Sequence, residues 1–313
     1  MTPETMKARL ASVRWAAEAT LLFDLVPLDG NPPPGIEAGA HIDITLPNGL
    51  VRQYSLCNSP TERDRYVVGV KLDRNSRGGS AYMHEKLRVG TVLDISAPRN
   101  HFALNESAPH TVLVAGGIGI TPIAFMAERL TQLGRPFELH YSVRERAEAM
   151  FTGRLPTMQL RVDAEQPAGT FMDIAAIVRA APADAHLYCC GPGPMLDAFV
   201  EATKGRPSTH VHLERFSADI EAATGGGFAV ELARTGRSVQ VEAGQTILDA
   251  VRACGVNVRA SCQQGVCGSC ETRVLKGLPD HRDTLLSAEE KAANDVMMIC
   301  CSGSLSPRLV LDL

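Results

Sequence analysis

The sequence predicts a multidomain chain with an antiparallel β-barrel, an α/β doubly wound domain and a C-terminal α+β domain. Three observations support this prediction. Short strand-like runs separated by turn signals dominate residues 1–104, and strands alternate with helices over residues 105–216. A glycine-rich stretch at 217–227, predicted to be a linker, separates both from a third pattern at 228–313. Evenly spaced short strands are typical of small barrels, whereas alternating strands and helices favour a parallel sheet.

The first domain shows its strands through alternation and turn residues. Apolar and polar residues alternate over 38–46, and Pro47-Asn48-Gly49 follows as a strong turn signal. The other elements that we expect in this domain are strands at 51–56, 65–71 and 91–95 and one short helix at 81–87.

The second domain begins with an uncharged stretch, residues 107–127, which is long enough to suggest a membrane span. Its glycines and prolines instead favour a buried strand at 111–115, a glycine turn and a helix at 122–133 that ends before Gly134. The further elements that we expect are strands at 137–142, 160–162 and 186–190 and helices at 171–180 and 194–203.

The third domain follows three consecutive glycines at 225–227, the clearest boundary signal in the chain. Ser287 and Glu290 have the spacing of a capping box and predict a short helix. The other elements that we expect are a hairpin at 228–233 and 238–241, a helix at 246–254 and strands at 296–299 and 309–313.

Composition excludes several classes of protein. The net charge of the 313 residues is −4 and no basic run occurs, which argues against a nucleic-acid partner. Nine cysteines are too few for a disulfide scaffold in a chain of this length. The first thirty residues lack the apolar core of a signal peptide, so we expect a cytoplasmic protein without a membrane partner. We also expect a monomer.

Three cysteines lie close together in the third domain with the spacing C-x4-C-x2-C, the plant-type pattern for a [2Fe–2S] cluster. Such a cluster needs a fourth thiolate from further along the chain. Gly265 and Gly268 allow backbone N–H groups to approach inorganic sulfide closely. The predicted ligands are Cys262, Cys267 and Cys270, and Cys300 is a candidate for the fourth.

Three other interpretations of these cysteines are a zinc site, disulfides and buried inert thiols. A structural zinc site usually has two C-x2-C pairs, and this stretch has one. Disulfides would need an oxidising compartment. Buried inert cysteines occur singly more often than as three within nine residues, so the cluster interpretation is favoured.

Two motifs in the barrel domain supply the groups that bind a phosphorylated flavin. Arg52 and Arg77 can neutralise a phosphate, the backbone of Gly78 and Gly79 can approach it, and Ser80 adds a hydroxyl. Each motif alone is also compatible with a solvated strand face or a simple turn. In the segment 52–56, Tyr54 offers a ring to pack on the isoalloxazine, and Ser55 offers a donor towards its reactive nitrogen.

Two glycine turns in the second domain are candidates for binding a dinucleotide. Gly116, Gly117 and Gly119 follow a strand and open a helix, although their spacing is not G-x-G-x-x-G. The segment 190–194 (Cys-Gly-Pro-Gly-Pro) repeats this arrangement after a later strand. The alternative is a tight strand-to-helix turn without a ligand.

The chain resembles the phthalate dioxygenase reductase family through five motifs and their order. These motifs are Arg-x-Tyr-Ser-Leu, Arg-Gly-Gly-Ser, Gly-Gly-Ile-Gly-Ile-Thr-Pro, Cys-Gly-Pro and C-x4-C-x2-C. The resemblance covers essentially the whole chain. It implies FMN rather than FAD, an NADH site and a fused plant-type ferredoxin domain of the β-grasp fold. The residues that it implies around FMN are Arg52, Tyr54, Ser55, Val70, Lys71, Arg77, Gly78, Gly79, Ser80, Thr121 and Phe216. Those that it implies around NADH are Gly116, Gly117, Gly119, Arg144, Cys190, Gly191 and Pro192.

The resemblance implies an NADH-dependent flavoprotein that delivers electrons through the cluster to a Rieske-type oxygenase, which acts on an aromatic acid. Ser55, Glu214 and Cys190 are the candidate catalytic residues, at flavin N5 and beside the nicotinamide. Two alternatives are a stand-alone flavin reductase for a small acceptor and a non-enzymatic electron carrier or redox sensor.

The chain departs from the family pattern beside the fourth cysteine. Ser302-Gly303 stands where the family commonly has Ser-Arg, and Cys301 is a second candidate for the fourth ligand. The family pattern favours Cys300. Ser142, Arg144 and Arg146 follow a strand where a 2′-phosphate could bind, but the family favours NADH over NADPH.

Overall fold

The computed structural model describes residues 5–73, 78–217 and 220–313. It divides the chain into two units, Met1–Arg215 and Phe216–Leu313. The predicted domain limits within the first unit, and the linker at 217–227, stay predictions. No helix among the described residues is long and apolar enough to cross a membrane.

An antiparallel sheet of six strands forms the first half of the first unit, in the spatial order β4-β3-β6-β1-β2-β5. Bridging between Leu56 and Val68 links the β4 and β5 ends of this order and closes the barrel. The predicted antiparallel barrel is therefore confirmed. Its strands are β1 (Thr5–Ala17), β2 (Thr20–Pro27), β3 (His41–Thr45), β4 (Val51–Ser55), β5 (Tyr66–Lys71) and β6 (Val92–Ser96).

One short helix, α1 (Gly79–Glu85), accompanies the barrel and begins two residues before the predicted helix. The hairpin between β3 and β4 turns at the predicted Pro47-Asn48-Gly49, where the N–H of Gly49 donates to the carbonyl of Leu46 at 2.8 Å. The barrel places the end of β4, with Tyr54 and Ser55, on a rigid element.

The second half of the first unit is a five-stranded sheet whose neighbouring strands are all parallel, in the order β11-β10-β7-β8-β9. Its strands are β7 (Thr111–Gly116), β8 (Phe137–Val143), β9 (Gln159–Val162), β10 (His186–Cys190) and β11 (Val211–Glu214). Its helices are α2 (Ile120–Leu133), α3 (Ile174–Ala180) and α4 (Gly193–Ala202).

The helices cover both faces of this sheet, as the doubly wound prediction requires. Leu113 and Ala115 of β7 share a core with α2, whereas Val112 and Val114 share a core with α3 and α4. Alternate side chains of a strand point to opposite faces, so every residue of β7 is buried. Strand β7 is the central strand of the sheet, and the carboxyl ends of the parallel strands all lie along one edge.

The second unit has its own core and a mixed five-stranded sheet, in the order β13-β12-β18-β14-β16, with a separate two-stranded sheet of β15 and β17. The strands are β12 (Phe228–Leu232), β13 (Arg237–Val241), β14 (Glu271–Lys276), β15 (Pro279–Asp280), β16 (Val296–Met298), β17 (Gly303–Ser304) and β18 (Arg308–Leu311). The helices are α5 (Ile247–Ala253) and α6 (Ala288–Ala293).

Helix caps fix both helices of the second unit. Thr246 and Asp249 form a capping box at α5, and Ser287 and Glu290 form the predicted capping box at α6. Helix α5 packs its apolar face, including Ile247 and Val251, against the core of the mixed sheet. The loop between α5 and β14 carries the three closely spaced cysteines.

Candidate functional site

The predicted phosphate-binding residues of the barrel lie together. A Cβ atom added at Gly79 would lie 2.5 Å from Nε of Arg52, so the arginine packs directly on the glycine turn at the start of α1. Gly78 has φ +87°, a conformation that favours glycine. The hydroxyl of Ser80 accepts a hydrogen bond from the N–H of Asp73 at 3.2 Å. A guanidinium beside two glycines fits the charge and size of a phosphate.

Other predicted flavin residues surround the same end of the barrel. Tyr54 and Arg52 are two positions apart on β4, so their side chains lie on the same face of the strand. Burial raises the pKa of the Tyr54 phenol well above its ordinary value. A Cβ atom added at Gly69 would lie 2.7 Å from Cγ2 of Thr121, so the start of α2 abuts β5. Two hydrogen bonds hold the end of β5. Nε2 of His84 is bonded to the carbonyl of Val70, and Nζ of Lys71 donates to the carboxylate of Glu148.

Two further predicted flavin residues are Arg77 and Phe216. Arg77 lies outside the described residues. Phe216 is the first residue of the second unit, and its side chain is 42% exposed. Their contacts with a flavin stay predictions.

The two glycine turns of the parallel sheet pack directly against each other. A Cβ atom added at Gly119 would lie 2.2 Å from the carbonyl oxygen of Cys190, and one at Gly116 would lie 2.6 Å from Cδ of Pro192. A Cβ atom at Gly191 would meet the sulfur of Met195 at 2.6 Å. The sheet therefore brings both turns to one edge, with their backbones closer than any side chain would permit.

The three candidate catalytic residues form a chain of contacts in the first unit. The hydroxyl of Ser55, at the end of β4, donates to a carboxyl oxygen of Glu214 at 3.2 Å. Glu214 ends β11 and pairs in register with Cys190 at the end of β10. The structure thus joins the barrel to the edge of the parallel sheet that carries the glycine turns.

Burial changes the chemistry of two members of this chain. It raises the pKa of the Glu214 carboxyl from 4.5 to about 8, against a smaller opposing effect of the Ser55 hydrogen bond. Burial, reinforced by the neighbouring Glu214, raises the pKa of the Cys190 thiol well above its ordinary value. Both groups therefore hold their protons at neutral pH, and Cys190 is a neutral thiol rather than a thiolate nucleophile.

Two of the three polar residues predicted at the end of β8, Ser142 and Arg146, are paired with carboxylates. Arg146 makes a bidentate ion pair with Glu165, with nitrogen–oxygen distances of 2.8 and 2.6 Å. The hydroxyl of Ser142 donates to Asp163 at 3.1 Å. Arg144 is exposed, and its carbonyl accepts from the N–H of Ala164. Asp163 also pairs with Arg161 at 3.2 Å, so each of the two acidic residues at this edge is matched by an arginine.

The four predicted cysteine ligands converge as two pairs in the second unit. The side chains of Cys262 and Cys267 are hydrogen-bonded to each other, and so are those of Cys270 and Cys300. Among the described residues, no three or more His, Cys, Asp or Glu side chains are arranged to hold a single metal ion. Two thiolates for each of two iron atoms is the donor set that a [2Fe–2S] cluster takes.

Backbone N–H groups of the cysteine loop donate to the sulfur atoms of Cys262 and Cys267. The N–H of Cys262 donates to Sγ of Cys267 at 3.5 Å, and the N–H of Gln264 donates to Sγ of Cys262 at 3.3 Å. The hydrogen bond from Cys262, with help from Ser269, lowers the pKa of Cys267. Gly265 and Gly268 have φ of +63° and +70°, which lets the loop turn its N–H groups towards sulfur. The residues therefore fit the cluster.

The side chain of Cys301 is hydrogen-bonded to that of Cys300 and not to that of Cys270. Sγ of Cys301 lies 3.6 Å from the carbonyl oxygen of Met298 and 3.8 Å from the hydroxyl of Ser302. A Cβ atom added at Gly265 would lie 2.7 Å from the same Sγ. Because Cys270 is paired with Cys300, the arrangement supports Cys300 as the fourth ligand.

Sequence reasoning missed three residues of these sites. Asp163 follows directly after β9, and a position at the carboxyl end of a parallel strand was a usable signal. Ser269 bonds Cys267 at 3.0 Å from within the cysteine loop itself. Met195 fills the space between the glycine turns, and no local pattern distinguishes it from an ordinary helix residue.

Comparison with known families gives one domain match. Residues 230–303 match a 2Fe-2S iron-sulfur cluster binding domain. This range contains all four predicted cysteine ligands, so the family match and the paired thiols point to the same prosthetic group.

Comparisons over the whole chain give close relatives. The chain is 52% identical to the phenoxybenzoate dioxygenase subunit beta of Ectopseudomonas oleovorans, covering 100% of this chain and 98% of that protein. It is 50% identical to the tetrachlorobenzoquinone reductase of Sphingobium chlorophenolicum, covering 93% of each. A solved structure of phthalate dioxygenase reductase, described as modular for electron transfer from pyridine nucleotides to [2Fe-2S], superposes with a TM-score of 0.74. That pair is 38% identical over 99% of this chain and 98% of the other.

Proposed function

This chain belongs to the phthalate dioxygenase reductase family, and we propose that it carries electrons from NADH through FMN and a [2Fe–2S] cluster to a separate Rieske-type oxygenase. It is an oxidoreductase, and the interpretation as a non-enzymatic carrier or sensor is set aside. When bound, the cofactors supply hydride acceptance and one-electron release, and the protein aligns them and tunes their potentials.

The observation that carries the proposal is the 3.2 Å hydrogen bond from Ser55 to Glu214. It supports a common reaction site for the barrel and the nucleotide-binding edge. Ser55 orients the reactive ring of the flavin, and Glu214 holds a proton beside Ser55 at neutral pH. The neutral thiol of Cys190 borders the nicotinamide, and the packed glycine turns bind the NADH pyrophosphate. Arg52 and the turn at Gly78 and Gly79 bind the FMN phosphate.

The cluster ligands in this proposal are the two cysteine pairs. Cys262 and Cys267 would hold one iron atom, and Cys270 and Cys300 would hold the other, since each pair of side chains lies within hydrogen-bonding distance. Serine at a ligand position would weaken cluster binding but leave the first unit unchanged. We therefore expect Cys262→Ser to keep NADH oxidation with ferricyanide or a dye that accepts electrons at the flavin. Reduction of a one-electron protein acceptor should fall at least about a hundredfold, as measured by stopped-flow absorbance.

Cys254→Ser is the matched control for this experiment. Its sulfur also lies in the second unit, but it donates to the carbonyl of Val251 within α5 and is no part of the cysteine loop. The control should retain both activities. Undiminished reduction of the protein acceptor by the Cys262→Ser variant would rule out the proposed electron route.

A second candidate function is reduction of a quinone, which the similarity to tetrachlorobenzoquinone reductase favours. A quinone can take electrons at the flavin, so Cys262→Ser should leave its reduction intact. A visible spectrum with flavin and cluster bands that bleach on addition of NADH is common to both candidates. The response of the Cys262→Ser variant to an oxygenase and to a quinone separates them.

The oxygenase partner fits the names of several relatives, which are reductase components of aromatic dioxygenases and O-demethylases. We extend the proposal to an oxygenase that dihydroxylates or O-demethylates an aromatic acid. We also propose that the chain works as a cytoplasmic monomer, which size-exclusion chromatography with light scattering tests directly. Co-purification of an oxygenase from the native source identifies the partner.

A further inference from the structure

The segment 280–286 packs against the cysteine loop of the second unit. The N–H of Thr284 donates to the carbonyl of Gly265 at 3.1 Å. A Cβ atom added at Gly265 would lie 2.8 Å from Cα of Asp283. Gly265 stands between Cys262 and Cys267, so Asp283 contacts the part of the loop that encloses the predicted cluster.

The carboxyl group of Asp283 is fully buried, with a side-chain exposure of 0%. One oxygen, Oδ2, accepts from the N–H groups of Leu285 at 3.2 Å and Leu286 at 2.8 Å. The other oxygen, Oδ1, has no hydrogen-bond partner among the described residues. A buried carboxylate costs free energy that packing alone does not recover, so its retention here calls for a reason.

The neighbouring basic groups compensate this charge incompletely. Nζ of Lys291 is 3.9 Å from Oδ2 and donates instead to the backbone carbonyl of Asp283 at 2.7 Å. The Lys291 side chain is 32% exposed, so solvent screens its charge more than that of Asp283. The ring of His281 faces Oδ1 with Nδ1 at 3.7 Å, which is too long for a hydrogen bond.

We propose that Asp283 is a positioning residue that sets the reduction potential of the [2Fe–2S] cluster. The inference rests on the proposed cluster at Cys262, Cys267, Cys270 and Cys300. Asp283 holds the segment 283–286 against Gly265 and places a poorly screened negative charge behind the loop. Adding an electron to the cluster makes it more negative, so this charge lowers the reduction potential.

The test is the midpoint potential of the cluster in the purified full-length protein. Asp283→Asn removes the charge, while the amide oxygen can still accept from the N–H groups of Leu285 and Leu286. We expect the ratio of reduced to oxidised cluster at a fixed applied potential to rise about tenfold, an upward shift of about 59 mV for this one-electron couple. Spectroelectrochemical titration, followed by visible absorbance and electron paramagnetic resonance, measures the shift.

Two further variants keep the test decisive. Lys291→Gln removes the compensating positive charge and should shift the potential in the opposite direction, by less than Asp283→Asn does, because the lysine is partly exposed. Asp295→Asn removes an exposed carboxylate of the same unit and should leave the potential unchanged. If Asp283→Asn fails to retain a cluster, the sign of the Lys291→Gln shift decides.

The outcomes distinguish this inference from the proposed function. A wild-type protein without cluster bands contradicts the cluster site itself, and the role of Asp283 falls with it. A wild-type protein that holds the cluster, with an unchanged potential in both Asp283→Asn and Lys291→Gln, overturns the role of Asp283 alone. Downward shifts in both variants indicate loop disorder rather than electrostatics and overturn it as well.

Discussion

Glu214 is a residue whose pKa is changed by its surroundings in a way that can be measured. Burial raises the pKa of its carboxyl from 4.5 to about 8, although the hydroxyl of Ser55 donates to it. The folded protein therefore holds a proton on Glu214 at neutral pH, and an unfolded chain would release it. A proton bound by the folded state alone makes the free energy of unfolding depend on pH.

The sign of this dependence follows from the raised pKa. Below pH 4.5 both states hold the proton, and the contribution of Glu214 to stability is fully present. Between pH 4.5 and about 8 the unfolded chain releases it and the folded protein keeps it, so stability falls as pH rises. We expect Glu214→Gln, which cannot ionise, to lack this part of the fall, which at about 1.4 kcal/mol per pH unit amounts to roughly 5 kcal/mol over the window.

Urea unfolding across a pH series measures this difference. Glu201→Gln is the control, because Glu201 is exposed on α4 and pairs with Lys204 at the surface. It should follow the wild-type curve. Identical pH dependence of wild type and Glu214→Gln would show that the carboxyl does not hold its proton in the folded state.

The element that does most to shape the nucleotide edge is the pair of glycine turns at the carboxyl ends of β7 and β10. Gly119 is the N-cap residue of α2, and the backbone of Cys190 passes too close to it for any side chain. Neither turn can therefore shift without moving the other. This packing gives the glycines a structural role besides access to a ligand.

Replacement of Gly119 tests that role. A Cβ atom at this position would lie 2.2 Å from a backbone oxygen, so Gly119→Ala should force the turns apart, lower stability by about 2 kcal/mol and raise KM for NADH. Gly153→Ala is the matched control, because a Cβ atom there meets nothing within 4 Å. Steady-state kinetics and thermal unfolding check both variants. A normal KM for Gly119→Ala would exclude the close packing of the turns.

Elements with strong end signals were predictable, and elements with irregular pairing were not. Helix α2 ends before Gly134, as the sequence predicted, and the φ of +64° at Gly134 is the left-handed conformation that favours glycine. Strand β1 was missed, because register shifts at Leu10/Ser12 and Trp15/Ala17 interrupt its alternation. Helix α3 begins at Ile174 rather than 171, since Asp173 caps it through the N–H of Ala176.

At the scale of the whole molecule, two units with separate cores carry the proposed chemistry. Met1–Arg215 contains the barrel and the parallel sheet, and Phe216–Leu313 contains the cysteine loop. Three of the four cysteine ligands belong to the core of the second unit or lie buried beside it. When these cysteines bind a cluster, the free energy of binding adds to the free energy of unfolding of the second unit.

Removal of the cluster should therefore affect the two units differently. After iron chelation under reducing conditions, we expect the unfolding transition of Phe216–Leu313 to fall by roughly 10 °C. The transition of Met1–Arg215, with its NADH-dependent reduction of ferricyanide, should stay in place. Differential scanning calorimetry of treated and untreated protein measures both transitions. A parallel fall of both would contradict independent cores.

The sequence by itself determined the fold classes, the cluster type and the motifs, because these depend on local periodicity, turn chemistry and the spacing of cysteines along one loop. The sequence offers Ser55, Glu214 and Cys190 only as separate candidates, and the contacts that join them are visible only in the tertiary structure. The same holds for the pairing of Cys270 with Cys300 and for the burial of Asp283 behind Gly265. Contacts between distant positions and the burial that shifts a pKa are decided by packing, and no local pattern encodes them.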